Sequence, residues 1–287
     1  MNRFYFEPSS ICQLKCTLCP SPLFNERRKG FMNVVSFNKL LEESFSQEIM
    51  FEGDEVHLYG FGEPTLNAGL GNMIKSLKDK KVHTKINTNG LWKDSKTWDS
   101  ISQAGLEKCL ISVDGLDRET YNQYRVGGDF ELLMRNIRYA CSNSRGTEIE
   151  LQFIVFPHNL SQKERFESFC REINAHTAVI KRPRDWTGAE RRLSDLGELP
   201  LEYKRKNNMG VCRFIEDFGM VLYDGTLTIC SADAFGRYAV GNIFSEGPNL
   251  WRSERFKELK RKSKEGGVKI CTSCGYGEAY LEKVKLK

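Results

Sequence analysis

The sequence predicts an α/β fold: a partial (β/α)6 barrel followed by a small C-terminal β-hairpin-plus-helix module. Three observations carry this. Short apolar runs alternate with longer amphipathic ones up to about residue 182, a polar cluster follows each apolar run, and the pattern changes to a tight hairpin after about residue 208. Strand–helix alternation at this spacing implies right-handed βαβ units around a parallel sheet, with an open doubly wound sheet as the other arrangement. The chain therefore divides into residues 1–200 and residues 201–287.

The strand candidates are residues 4–6, 55–59, 82–87, 108–113, 149–156 and 178–181. Helical patterns lie near residues 36–49, 68–80, 95–105, 130–142 and 161–174. Their apolar residues recur every three or four positions, as at Phe130, Leu133, Ile137 and Cys141. A polar stretch over 185–208, with Gly188, Gly197 and Pro200, reads as a linker or loose helix. Strands over 220–223 and 226–230 then flank Asp224-Gly225, a hairpin signal. A helix over 250–262 leads to Cys271-Thr272-Ser273-Cys274. A second unit this small needs a staple, which a metal can supply.

Parallel barrels place their chemistry at the C-terminal strand ends. There the sequence puts residues 7–19, Gly60-Phe61-Gly62-Glu63-Pro64, Asn87-Thr88-Asn89-Gly90, Ser112-Val113-Asp114-Gly115, Pro157-His158-Asn159 and residues 181–186.

Composition narrows the function classes. With 287 residues, 40% hydrophobic and 28% charged, the balance is that of a globular protein. A formal charge of +5 is small, and the basic stretches 257–264 and 283–287 alternate with Glu and apolar residues. They read as a solvated helix face, so no nucleic-acid partner is expected. No window nears the roughly 20 apolar residues of a membrane helix. The first residues run into strand-like sequence without a signal peptide, so no membrane partner and a cytoplasmic location are expected. Ten cysteines in that compartment point to metal or catalysis rather than disulfides.

Cys12-x3-Cys16-x2-Cys19 is the sharpest signal. Three thiolates on one short loop can hold three irons of a cubane cluster and leave the fourth open to an exogenous ligand. A zinc loop lacks a nearby fourth ligand here. Taken with Glu7-Pro8, Gly62-Glu63-Pro64, Asn87-Thr88-Asn89-Gly90, Ser112-Val113-Asp114-Gly115 and Tyr124-Arg125-Val126-Gly127-Gly128, this loop resembles the radical S-adenosylmethionine (SAM) superfamily over the first two-thirds of the chain. The resemblance implies a [4Fe–4S] cluster on Cys12, Cys16 and Cys19, with SAM chelated to the open iron. It implies that Gly60, Phe61, Gly62 and Glu63 meet the amino group of SAM, Ser112 and Arg125 its carboxylate, and Asn87 and Asn89 its ribose. One position departs from the family: Leu18 stands where an aromatic residue usually lies close to the adenine.

Cys212, Cys230, Cys271 and Cys274 form a second set, which by spacing alone suits zinc or a fully ligated [4Fe–4S] cluster. The pattern resembles the shortened, one-cluster form of the auxiliary (SPASM/twitch) module of radical SAM proteins, which implies a second [4Fe–4S] cluster. Cys109, Cys141 and Cys170 read as core residues, and His57 and His83 as buried and paired. His158, at a strand end, and Arg182, Arg184 and Asp185 after strand six are the substrate-contact candidates.

The family's chemistry implies that an electron, delivered by a donor such as flavodoxin or ferredoxin, cleaves SAM to a 5′-deoxyadenosyl radical that abstracts a substrate hydrogen. The shortened module resembles that of aminocyclitol dehydrogenases. The function expected is therefore oxidation of a small polyol, sugar or aminocyclitol, with the second cluster accepting an electron. The alternatives are an epimerase or peptide-modifying enzyme, which needs a pocket-facing hydrogen donor such as a thiol, and a non-catalytic iron–sulfur or zinc protein.

Overall fold

The computed structural model describes residues 1–23, 29–183, 193–200, 202, 212, 215–272, 274 and 280–287. Strands β1 (Arg3–Phe6), β2 (Glu55–Leu58), β3 (His83–Thr88), β4 (Lys108–Ser112), β5 (Glu148–Ile154) and β6 (Thr177–Lys181) pair in parallel in chain order. Between them run α1 (Val34–Ser46), α2 (Leu70–Asp79), α3 (Ser95–Gln103), α4 (Arg118–Tyr124), α5 (Phe130–Ser142) and α6 (Lys163–Glu172). Side-chain caps start several of them. Asn33, Asp94, Asp117 and Asp129 each accept a backbone N–H from the first turn of α1, α3, α4 and α5.

The remaining strands extend the same sheet. β7 (Met220–Val221) pairs in parallel with β1, followed by antiparallel β8 (Thr226–Thr228) and β9 (Ala239–Asn242). β10 (Tyr280–Lys285) lies antiparallel on β6, so the order is β10-β6-β5-β4-β3-β2-β1-β7-β8-β9, and among the described residues the barrel does not close. The 283–287 stretch, expected on a solvated helix face, thus belongs partly to an edge strand. Its alternating Glu282-Lys283-Val284-Lys285 pattern is the two-residue period of a strand. The other basic stretch is helical, within α8 (Glu254–Lys264), which follows the short α7 (Ile243–Glu246). The helix expected from residue 250 starts later, because Ser253 is extended and caps α8 through Phe256 N.

Period-two alternation splits the sheet into two faces. Val56, Leu58, Ile86, Cys109, Ile111, Leu151 and Phe153 share one apolar core with helix residues such as Leu40, Ile74, Ile137, Phe166 and Cys170. The spare cysteines Cys109, Cys141 and Cys170 all lie in this core. The opposite, inner face is polar. Lys108 bridges Glu148 and Glu150 at 2.8 Å each, and Lys283 of β10 reaches Glu150 at 3.4 Å. His57 is buried and paired on this face, whereas His83, at the start of β3, is exposed and pairs with Glu107.

The C-terminal module relies on more than a metal for cohesion. Phe218 stacks on Phe4 at 4.3 Å, Trp251 packs edge-on to Phe4 and Phe6, and Asp217 pairs with Arg3 at 2.9 Å. Aromatic burial on β1 therefore supplies part of the cohesion expected from a staple. Among the described residues no helix is long and apolar enough to cross a membrane.

Candidate functional site

The loop after β1 carries Cys12, Cys16 and Cys19 and is pinned to three other segments. Ser10 N donates to Gly30 O (3.0 Å), Lys15 N to Val126 O (2.9 Å) and Thr17 N to Tyr124 O (3.1 Å), while Glu63 N donates to Ile11 O (2.8 Å). Each sulfur receives a donor: Leu14 N (3.4 Å) and Asn89 Nδ2 (3.7 Å) on Cys12, Arg125 Nη1 (3.6 Å) on Cys16, and Ser21 N (3.4 Å) on Cys19. Burial pushes the Cys12 and Cys19 thiols up to about 12, and neighbouring charges (Glu63 and Cys16 for Cys12, Cys16 and Cys12 for Cys19) push the same way. Three such thiols ionise together only around a cationic centre, which is what an iron–sulfur cluster provides. They do not converge on a single-ion site, and a cubane does not ask them to, since each thiolate binds a different iron.

The turn after β2 leans on this loop. A Cβ on Gly62 would lie 2.1 Å from Ser9 O, so only glycine fits there. Phe61 N donates to the buried Glu7 at 3.3 Å. Glu63 is 2% exposed and accepts from Thr65 N and Oγ1, Thr88 Oγ1 and Asn89 N. Burial still drives its carboxyl above the ordinary value, because these donors only partly offset desolvation. Three of the four bonds fall on Oε1, which leaves Oε2 with capacity to accept from a cationic group.

The other expected SAM contacts are brought to the same end of the sheet. Ser112 Oγ pairs with Asn87 Oδ1 at 3.4 Å on the inner face. Asn89 faces the cysteine loop, its Oδ1 accepting from Leu91 N and Gln13 Nε2. Arg125 is partly buried, with its Nε and Nη2 on Asp114 and its Nη1 on Cys16. Asp114 is itself in the left-handed region (φ 57°) and accepts from Ile154 N at 2.6 Å. Its special backbone, within Ser112-Val113-Asp114-Gly115, explains why β4 stops at Ser112.

Sequence reasoning missed a second polar group. Glu55, His57 and Tyr59 point together from β2 and the residue beyond it into the inner face. His57 Nε2 bonds the Glu55 carboxylate and Nδ1 meets Tyr59 Oη at 2.6 Å, while Lys85 of β3 pairs with Glu55. Burial pushes the Glu55 carboxyl up, but the bonds from His57 and Lys85 prevail and hold it down at about 2. Burial lowers the His57 pKa against the pull of Glu55. The ionised carboxylate only accepts, so a neutral His57 donates from Nε2 and accepts the Tyr59 proton at Nδ1. The alternation Glu-x-His-x-Tyr was the available signal, because period two puts all three on one face.

The C-terminal cysteines also gather. Cys230 follows β8 and accepts from Ala232 N at 3.2 Å, and Cys271, in α9 (Lys269–Thr272), lies 3.0 Å from Ser263 Oγ. Both flank one apolar cluster of Ile215, Ile229, Ala232, Val268 and Ile270. Burial raises the Cys271 thiol, and the charges of Cys274 and Cys212 add to it, which puts these three within electrostatic reach. Three thiols with that repulsion suit a cationic metal group.

Of the substrate candidates, His158 is half-buried and stacks on Phe156 at 5.5 Å, and Arg182 donates to Glu202 O. Arg184 and Asp185 lie outside the described residues.

Comparison with known proteins decides the family. The radical SAM superfamily model matches residues 6–169, more than half of the chain. The chain belongs to the radical SAM superfamily. A second model, the iron–sulfur cluster-binding domain, matches residues 212–275. This radical SAM enzyme therefore uses a [4Fe–4S] cluster, SAM and auxiliary iron–sulfur chemistry. A probable GTP 3′,8-cyclase of Methanococcus maripaludis is 28% identical over 171 residues, covering 59% of this chain and 55% of that protein. The chain thus spans about half the length of the curated relatives it matches first. Among solved structures, BtrN in complex with AdoMet and 2-DOIA gives a TM-score of 0.63 at 16% identity, covering 96% of this chain and 92% of that one. Streptococcus suis SuiB bound to precursor peptide SuiA gives 0.70 at 15% identity, covering 96% and 71%.

Proposed function

We propose that this chain is a radical SAM oxidoreductase that oxidises a hydroxyl-bearing small molecule of the polyol, sugar or aminocyclitol class. Residues 1–200 hold SAM and a cluster on Cys12, Cys16 and Cys19, and residues 201–287 hold an auxiliary [4Fe–4S] cluster on Cys212, Cys230, Cys271 and Cys274. Gly60, Phe61, Gly62, Glu63, Asn87, Asn89, Ser112 and Arg125 line the SAM site. A flavodoxin- or ferredoxin-type donor reduces it in the cytoplasm, where the thiols stay reduced.

The observation that carries the reading is the Glu55–His57–Tyr59 chain, directly before the Gly60–Glu63 turn on the polar inner face. The cofactors, when bound, supply a hydrogen-abstracting radical and an acceptor for the substrate electron. The protein's own task is to remove the hydroxyl proton. Tyr59 Oη takes it while passing its own proton to His57 Nδ1, and the resulting imidazolium is balanced by the Glu55 carboxylate. Epimerisation by a thiol fits less well, because Cys109, Cys141 and Cys170 lie on the helix side of the sheet.

The test is anaerobic incubation of reconstituted enzyme with SAM, reductant and a panel of polyols deuterated at their carbinol carbons. Deuterium should enter 5′-deoxyadenosine as a new carbonyl forms. Deuterium entering product from solvent, with no carbonyl, would replace this reading by epimerisation.

A further inference from the structure

Among the described residues, the donors on the three N-terminal sulfurs fall into two kinds. Leu14 N, Asn89 Nδ2 and Ser21 N are neutral amides, whereas Arg125 Nη1 on Cys16 belongs to a guanidinium cation. Arg125 is not a surface side chain that has strayed inward. Its backbone N–H bonds Tyr121 O at 2.9 Å as α4 ends, its O accepts from Gly128 N, and its guanidinium lies 5.1 Å from the Tyr124 ring.

Asp114 fixes the orientation. It takes Nε (2.7 Å) and Nη2 on a single oxygen, Oδ2, while Oδ1 is tied to Ile154 N on β5. The guanidinium is planar, so holding two nitrogens on one side turns Nη1 toward Cys16. The carboxylate thereby neutralises the far side of the fork and leaves its positive end against sulfur.

We propose that Arg125 sets the reduction potential of the cluster on Cys12, Cys16 and Cys19 by giving Cys16 a charged hydrogen bond, with Asp114 as the positioning residue. Reduction adds a negative charge that spreads onto the cysteine sulfurs, and a charged donor stabilises it more than an amide does. The low-dielectric surroundings enlarge the difference. This rests on the three cysteines being the cluster ligands, which iron content tests separately.

The experiment is a potentiometric EPR titration of the reconstituted full chain without SAM, following the component that in wild type changes when SAM is added. In Arg125→Gln the ratio of reduced to oxidised cluster at a fixed poise should fall about tenfold, about 59 mV for one electron. Asn89→Ala, which removes a neutral donor from Cys12, should shift it less. Arg125→Lys keeps charge without the fork and should fall between wild type and Arg125→Gln. An Arg125→Gln protein with full iron that titrates like wild type overturns the proposal, as does an equal or larger shift in Asn89→Ala. If Arg125→Gln takes up no cluster, Arg125→Lys decides: an unchanged potential there is equally fatal. A SAM-responsive signal that survives Cys16→Ala refutes the ligand assignment instead.

Discussion

Replacing Gly62 with alanine asks how closely the turn after β2 must approach the cysteine loop. The added Cβ would stand 2.1 Å from Ser9 O, 2.6 Å from Ser9 C and 2.8 Å from Ile11 N, all backbone atoms. Reaching ordinary contact at 3.4 Å requires the two segments to part by about 1.3 Å. No long side chain is there to swing away, so the backbone of the Cys12 loop and that of the Gly60–Glu63 turn must shift relative to each other, at a cost of roughly 1–3 kcal/mol in stability. A misplacement near 1 Å at reacting groups costs roughly 100-fold in rate. We therefore expect Gly62→Ala to retain its fold by circular dichroism yet form 5′-deoxyadenosine about 100-fold more slowly per cluster. The assay is anaerobic single-turnover SAM cleavage normalised to iron content. Cleavage within about threefold of wild type at full iron would show that this close approach does not position the reacting groups, and would refute the reasoning.

Tyr59→Phe should lower carbonyl formation from an accepted polyol by roughly 100- to 1000-fold while leaving 5′-deoxyadenosine formation within a few-fold. Chromatography of both products from one reaction checks this, and equal loss of the two would remove Tyr59 from the proton path. Cys212→Ala should spare SAM cleavage far more than Cys16→Ala does, and equal loss in folded proteins would count against a separable second cluster. Iron analysis of wild type should give about eight irons per chain, and about four with one zinc would reassign the C-terminal site. Glu55, held at about 2 against roughly 4.3 when unfolded, contributes stability that is complete above the unfolded value and is lost as pH falls toward 2. The urea-stability difference between cluster-free wild type and Glu55→Gln should therefore shrink from pH 7 to pH 3, and a constant difference would contradict the pairing.

The parts of the fold legible in the sequence were those where local pattern and burial agree. β1 to β6 alternate with helices as the apolar runs indicate, and Asp224-Gly225 turns the hairpin with Gly225 at φ 90°. The N-terminal cysteine loop was readable because its ligands are adjacent in sequence. Partnerships set by the sheet were not. β7 is two residues long and exists through its pairing with Tyr5 and Phe6, and β10 through its pairing with β6. The inner-face chain was hidden for a related reason: Glu55, His57 and Tyr59 matter as a group only once strand pairing brings Lys85 beside Glu55. Arg125 was singled out by its motif, but its hold on Cys16 through Asp114 depends on a left-handed residue that no local periodicity announces.

The pairing of β7 with β1 bears on the order in which the protein is made. Tyr5 is synthesised long before one of its strand partners, Met220. Until the last quarter of the chain emerges, that edge of β1 is a row of unmatched backbone groups beside the cysteine loop. Contacts this distant in sequence form slowly. A chain stopped near residue 200 would keep every residue of the Cys12–Cys16–Cys19 loop and still expose an edge suited to pairing with another copy. The C-terminal module thus serves as the cover of the first strand, apart from any chemistry its cysteines perform.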